Sequence, residues 1–289
     1  MALVTDLITA IIPTYNRAAH LERAIGSVLA QRLACDELIV VDDGSTDQTQ
    51  ALLARLAAGA PIPIRVLRQE NRGAAAARNL GIRMARGSLL AFLDSDDWWL
   101  PGKLAVQAAA MEARPELLIS HTREIWHRGG QRVNQKKKHD PPDGDVFAAS
   151  LGMCVVGMST VVARRQFFDR YGLFDEDLPC CEDYDLWLQA GSREPFLLVP
   201  QPLTGKEGGR PDQLSEIHRM GMDVFRIRSL GKLLESGVLT PGQQQAARAE
   251  LIRKCLIYGQ GCVKHGRPEE GARYLALAQL HQSTGKHEF

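Results

Sequence analysis

Apolar positions in the first hundred residues alternate between two patterns. Short unbroken runs at residues 7–12, 37–41, 64–67 and 88–93 are long enough for buried strands. Between them, apolar residues recur at three- and four-residue spacing: Leu21, Ile25, Val28 and Leu29 first, then Leu52, Leu53 and Leu56, then the alanine-rich stretch 74–85. Strands alternating with amphipathic helices predict a parallel sheet covered by crossover helices. Ser45 or Asp47 is placed to cap the second helix. Pro101 falls where the first turn of a helix tolerates proline, and the alanine-rich stretch to Ala113 stops before Pro115.

The pattern then becomes less regular. Residues 126–145 mix glycines and prolines with Lys136, Lys137 and Lys138 and predict a mobile loop. Residues 159–163 and 196–199 predict strands, and 183–190 a helix. Beyond Gly209 only helical spacing remains, with starts suggested by Asp212, by Thr240 with Pro241, and by Pro268. This change predicts a boundary near residue 205: an α/β domain over 1–205, with halves of about 1–100 and 101–205, and a C-terminal helical extension over 206–289. The last two helices, around 251–263 and 269–280, resemble one helical-hairpin unit, too little for a solenoid, and predict a packing appendage.

Composition narrows the function classes. Of 289 residues, 45% are hydrophobic and 24% charged, as in an ordinary globular protein. With 35 Lys plus Arg against 34 Asp plus Glu, the net charge of +1 provides no global field for nucleic acid or an anionic membrane, so anion binding must be local. The longest nearly apolar stretch, 153–163, is interrupted by Gly157, Ser159 and Thr160 and falls well short of the ~20 residues that span a bilayer. No leader pattern opens the chain, which reads as cytoplasmic. The six cysteines show no zinc-type spacing and are too sparse for a disulfide framework; they are expected to be reduced, most of them as core filler.

Three acidic clusters carry the candidate chemistry. Asp42 and Asp43 follow one apolar run, and Asp94, Asp96 and Asp97 another; the carboxyl ends of parallel strands line ligand crevices. Turn formation and capping account for Ser45 and Asp47 without requiring two preceding acids, so Asp43 is read as functional. Alternate residues of an extended segment point the same way, so Asp94 and Asp96 present paired hard-oxygen donors suited to Mg²⁺ or Mn²⁺ bridging phosphate oxygens. In GAAAARN (73–79), the alanines are read as tight helix packing and Arg78 as a group within reach of a base, ribose or phosphate. Tyr15 is equally compatible with a face for a nucleobase and with core. The third cluster, Glu182, Asp183 and Asp185, opens a helix; with no Ser-His-Asp or Cys-His signature in the chain, it is the candidate source of a base for an acceptor hydroxyl.

Together IIPTYNR (11–17), VVDDGSTD (40–47), ENRGAAAARN (70–79), FLDSDDWW (92–99) and EDYDLWL (182–188) closely resemble family 2 glycosyltransferases of the GT-A fold, in order and in spacing. The resemblance covers about two-thirds of the chain and only weakly the helical tail. It implies a mixed, mainly parallel sheet flanked by helices and an inverting, metal-dependent transfer of sugar from a nucleotide-diphosphate sugar, with UDP as the expected nucleotide. The acceptor hydroxyl would belong to a saccharide or lipid-linked saccharide in cell-surface polysaccharide, lipopolysaccharide or glycolipid synthesis, at the inner face of the membrane without a transmembrane segment. By the same resemblance Pro13, Tyr15, Asp43 and Arg78 surround the nucleoside, Asp94 sits near ribose or metal-bound water, Asp96 binds Mn²⁺ or Mg²⁺, Asp97 neighbours them, and Asp183 is the catalytic base with Glu182 beside it. Many relatives supply a further metal or phosphate contact, often a histidine, after the catalytic helix. Here GKEGGRPDQLS (205–215) has no histidine, leaving Arg210, Lys206 or the later His218, or else a flexible lid. The Lys136 to Lys138 run is read as a solvated loop or as a contact for a lipid-linked phosphate. The competing classes are a nucleotidyltransferase, which would ordinarily carry a Gly-rich phosphate loop near the N-terminus, and a non-catalytic nucleotide-sugar-binding subunit.

Overall fold

The computed structural model describes residues 6–284. Strands β1 (Ile8–Thr14), β2 (Glu37–Asp42), β3 (Ile64–Arg68) and β4 (Leu89–Phe92) are joined by helices α1 (Ala18–Leu29), α2 (Thr49–Ala58) and α3 (Ala74–Met84). There follow β5 (Trp98–Trp99), α4 (Lys103–Ala113), β6 (Ile119–Arg128), β7 (Gln131–Val133), α5 (Phe147–Ser150), β8 (Val162–Arg164), α6 (Arg165–Tyr171), α7 (Glu182–Gly191) and β9 (Leu197–Gly208). Helices α8 (Leu214–Ile217), α9 (Met222–Glu235), α10 (Pro241–Lys264) and α11 (Pro268–Thr284) complete it.

The sheet order is β3-β2-β1-β4-β8-β6-β9-β5, with β7 hairpinned on β6. The pairs β3/β2, β2/β1, β1/β4 and β6/β9 are parallel, and β8 runs antiparallel to both its neighbours. This is the mixed, mainly parallel sheet expected. Every residue of β1, β2 and β4 is buried, which is why these strands read as continuous apolar runs rather than alternating ones. Successive side chains enter opposite cores: Ile11, Val41 and Phe92 face α3 and the aromatic cluster of Phe167, Trp187 and Phe196, whereas Ile12, Val40 and Leu93 face α1 and α4. Because β2 and β4 flank β1 on opposite sides, the chain diverges there and a crevice opens at the strands' carboxyl ends. A third core, built on Tyr184, Leu188, Leu230, Leu233 and Leu251, fastens α9, α10 and α11 to α7.

Several expectations need correction. Residues 126–145 are not one loop: Trp126–Arg128 continue β6, turn through Gly129 and Gly130 at positive φ, and return as β7. The cause is long-range, because β9 runs on to Gly208 and offers β6 a partner along its whole length. For the same reason the strand expected at 196–199 passes Pro200 and Pro202 and crosses residue 205, with register shifts around Arg123 absorbing the irregularity. The stretch 159–163 splits into a tight turn at Met158–Thr160 and then β8. Gln48, not Ser45 or Asp47, stands at the start of α2; Asp47 instead accepts from the backbone amides of Thr49 and Ala18. Pro101 lies just before α4, whose cap is Gly102. The first helix after Gly209 opens at Leu214 rather than Asp212. Thr240 does cap α10, in a reciprocal box with Gln243.

Candidate active site

The end of β2 is held by a turn that its own acids build. Asp42 Oδ1 accepts from the Ser45 amide at 2.9 Å. Gly44 has φ of +80°, and a Cβ there would lie 2.9 Å from the Asn71 amide nitrogen, so the backbone must be bare at this point. Asp43, buried, accepts from Gln69 Nε2 at 2.7 Å, from the Arg72 amide at 3.0 Å and from the Gly73 amide at 2.8 Å. It thus ties β2 to the start of α3, whose Ala75, Ala76 and Ala77 are buried as packing residues. From β1, Asn16 at φ 50° accepts through Oδ1 from the Thr46 amide at 2.8 Å, while Ser45 Oγ accepts from the Asn16 amide at 2.9 Å. Tyr15 is 44% exposed at the cleft, which removes it from the core.

The β4 acids are set by a second network. Arg78, buried on α3, donates to Asp94 at 2.6 Å and pairs with Glu182 on α7, so one guanidinium links two walls of the cleft. Ser159 Oγ accepts from the Asp94 amide at 3.0 Å and donates to Asp97 at 2.7 Å. Asp96 pairs with Arg210, and Arg23, stacked 4.0 Å over Trp98, donates to the Asp96 carbonyl at 2.7 Å. Trp98 needs the room it has: a Cβ on Gly205 of the paired strand β9 would fall 2.1 Å from the indole.

Asp183 heads α7, just after Cys181 in the left-handed region at φ 66°. Its carboxylate accepts from the Tyr184 amide at 2.7 Å and from the Cys154 thiol at 3.4 Å. Burial pushes the Asp97 carboxyl well above the usual carboxylate range, with Asp96 and Asp94 adding to it. Glu182 is also raised, by burial first and then by Asp183, against the pull of Arg78. Burial opposes the charge on Arg78, but Asp94 and Glu182 outweigh it and hold the guanidinium above its ordinary value. Burial, helped by Asp183, keeps the Cys154 thiol protonated.

Pro13, Tyr15, Asp43, Arg78, Asp94, Asp96, Glu182 and Asp183 all line one cleft of about 730 Å³, together with Asp97 and Lys206. Two expected members lie outside it. His218 packs edge-on against Phe225 at 5.6 Å between centroids, where it props α8 on α9, and is not among the lining residues. Arg210 is not among the lining residues; its Nη2 pairs with Asp96 and its Nε with Asp212, while its buried Nη1 has no partner among the described residues. Glu182, locked to Arg78, serves as a strut between α3 and α7. Sequence reasoning missed Asn16, Asn71, Cys154 and Arg226, which line the cleft without belonging to an acidic cluster. Asn16 alone carried a signal, as an asparagine able to take positive φ immediately after a strand.

A divalent ion fits this donor set. Among the described residues no three His, Cys, Asp or Glu side chains enclose a metal position. Asp94 Oδ2 and Asp96 Oδ1, however, accept no hydrogen bond among the described residues, because the protein's donors engage the other oxygen of each. Two free carboxylate oxygens suit an ion that completes its shell with phosphate oxygens and water.

The sequence model described as "Glycosyl transferase family 2" matches residues 9–172. An uncharacterized glycosyltransferase of Rickettsia felis is 35% identical over 192 residues, 64% of this chain, but the match spans only 30% of that protein's length. The Escherichia coli protein WfaP, named UDP-Glc:alpha-D-GlcNAc-diphosphoundecaprenol beta-1,3-glucosyltransferase, is 31% identical over 264 residues and is matched over 90% of this chain and 96% of its own. Among solved structures, the Pyrobaculum calidifontis mannosyltransferase PcManGT, in complex with GDP-Man and Mn²⁺, superposes with a TM-score of 0.66 at 20% identity, covering 98% of this chain and 80% of that one. The fold is therefore GT-A, and the chain belongs to glycosyltransferase family 2.

Proposed function

We propose that the protein moves a sugar, with inversion, from a UDP-sugar to a hydroxyl of a saccharide or lipid-linked saccharide in the synthesis of a cell-surface polysaccharide, lipopolysaccharide or glycolipid. One observation carries the reading: Asp43, Asp94, Asp96 and Asp183, from three separate segments, converge on a single cleft. The similarity to WfaP, by its name a UDP-glucose-dependent enzyme, favours UDP over other nucleotides. Its diphosphoundecaprenol acceptor favours work at the membrane surface; no helix among the described residues is long and apolar enough to cross a bilayer.

Pro13, Tyr15 and the remaining lone pair of Asp43 border the nucleoside, with Tyr15 offering an exposed ring for the base. Arg78 fixes Asp94 for the ribose side. Asp96, with Asp94, would hold Mn²⁺ or Mg²⁺, which when bound neutralises charge on the diphosphate leaving group. The Asp183 carboxylate takes the proton of the acceptor hydroxyl as its oxygen bonds to the anomeric carbon. The bond from that carbon to the diphosphate breaks, and its electron pair leaves with the diphosphate. One displacement from the opposite face inverts the centre. Catalysis is assigned to residues 1–205 together with the end of β9, and the later helices to an extension that walls the acceptor side.

The test is hydrolysis of a UDP-sugar panel with Mn²⁺ or Mg²⁺, without acceptor. A matching donor is expected to be turned over slowly, and Asp96→Asn to weaken UDP binding about 10- to 100-fold with Mn²⁺ while changing it little in chelator. Equal loss in chelator would remove Asp96 from the metal. Binding of no nucleoside diphosphate by the wild type would overturn the reading.

A further inference from the structure

On the wall opposite the nucleotide side, one cation is left incompletely paired. Arg226, on α9, lines the same cleft as Asp183. Its Nη1 reaches Asp223 at 3.1 Å, its Nη2 reaches only the Met222 thioether at 3.0 Å, and its buried Nε has no hydrogen-bond partner among the described residues. A thioether is a weak acceptor, so most of this guanidinium's donor capacity is unmet. Asp223 is moreover shared with Lys254 at 3.1 Å, and Lys254 shares Glu250 with Arg253 at 3.3 and 2.6 Å. Three cations thus stand over two carboxylates, and Arg226 is the member that borders the cleft.

The surface beside it is apolar and exposed. Leu214, Ile217 and Met222 line the cleft next to Arg226, and Ile217 is 60% and the neighbouring Met220 73% exposed. The His218 and Phe225 contact holds this rim against α9. A desolvated cation with unmet N–H groups selects an oxyanion, and an uncovered apolar rim selects hydrocarbon. A ligand that satisfies both is an amphiphilic diphosphate.

We infer that Arg226 and the rim of Leu214, Ile217 and Met220 form the docking site for a lipid-linked acceptor. Its diphosphate lies at Arg226 and the first part of its hydrocarbon chain along the rim, with the attached sugar at Asp183. This rests on the glycosyltransferase reading and assigns the acceptor class to residues that the donor does not use.

Undecyl diphosphate, titrated calorimetrically in saturating UDP, probes the site without knowledge of the sugar. It is expected to bind well above inorganic pyrophosphate. Arg226→Gln should weaken it about 10- to 100-fold, and Arg226→Lys, which keeps the charge, by less. The double variant Ile217→Ser, Met220→Ser should lower it about tenfold towards the pyrophosphate value while leaving pyrophosphate itself unaffected. UDP titration of each variant reports whether the fold persists. Wild-type affinity in Arg226→Gln, or pyrophosphate binding as tight as undecyl diphosphate, overturns the inference. UDP binding without undecyl diphosphate binding defeats the acceptor assignment alone, whereas failure of UDP to bind defeats the donor reading beneath it.

Discussion

The two walls of the cleft are finished to different degrees. On the wall made by the ends of β1, β2 and β4 with α3, the charged groups are paired: Asp43 takes three donors, Arg78 holds two carboxylates, and Ser159 relays between Asp94 and Asp97, leaving buried Thr14 Oγ1 and Arg78 Nε without a partner among the described residues. On the wall made by α8 and α9, Arg226 keeps donors in reserve and apolar side chains face outward. Charges paired across segments set the positions of these side chains before any ligand arrives, which suits a nucleotide diphosphate. Unsatisfied donors beside exposed hydrocarbon wait for a partner of the same mixed character. On the proposed function, the contrast separates a preformed donor side from an acceptor side completed by its ligand.

Asp183 stands where the walls meet, and its replacement tests the contrast hardest. Asp183→Asn keeps the shape and is expected to lower the transfer rate about 10²- to 10⁴-fold while UDP binding by calorimetry stays within about twofold. Loss of UDP binding instead would move Asp183 to the donor wall. Next comes the interlock itself. Arg78→Met leaves Glu182 and Asp94 without their shared cation and should cost about 3–5 kcal/mol in chemical denaturation, because a buried carboxylate remains uncompensated. A cost near zero would mean that the donor wall is no more tightly built than the other.

The smallest effect probes the core beneath both walls. His121, buried on β6 with its ring 6.4 Å from Phe196, has its pKa lowered to about 4 by burial, with Asp143 opposing and Arg123 reinforcing the shift. The unfolded chain takes up a proton near pH 6.5 and the folded one only near 4, so stability is full above 6.5 and drains away as pH falls between those values. From pH 7 to pH 5 the loss from this one group is about 2 kcal/mol. His121→Leu should abolish that part of the acid sensitivity in denaturation midpoints. An unchanged pH profile would place the titrating group elsewhere.

The strands of the donor wall were legible because burial on both faces turns them into unbroken apolar runs, and their acids stood out as charges where a core strand has no use for them. Asp43, Asp94, Asp96 and Asp183 could be named on those grounds and on the motif resemblance, and they do share a cleft. His218 and Arg210 could not be placed, since both lie past β9 where residue type says nothing about direction. Arg226 was invisible, an arginine in an ordinary helical pattern, distinguished only by what its neighbours fail to offer it.

Periodicity and strand-end charge therefore determined the order of elements, the parallel half of the sheet and the acids at its edge, since these depend on the local chain and on which faces are buried. Tertiary structure alone decided that β6 and β9 run on together past two prolines, that Arg78 bridges α3 to α7, and that α8 and α9 wall the cleft. Each is a pairing between segments far apart in sequence, where the partner available rather than the residue's own propensity sets the outcome.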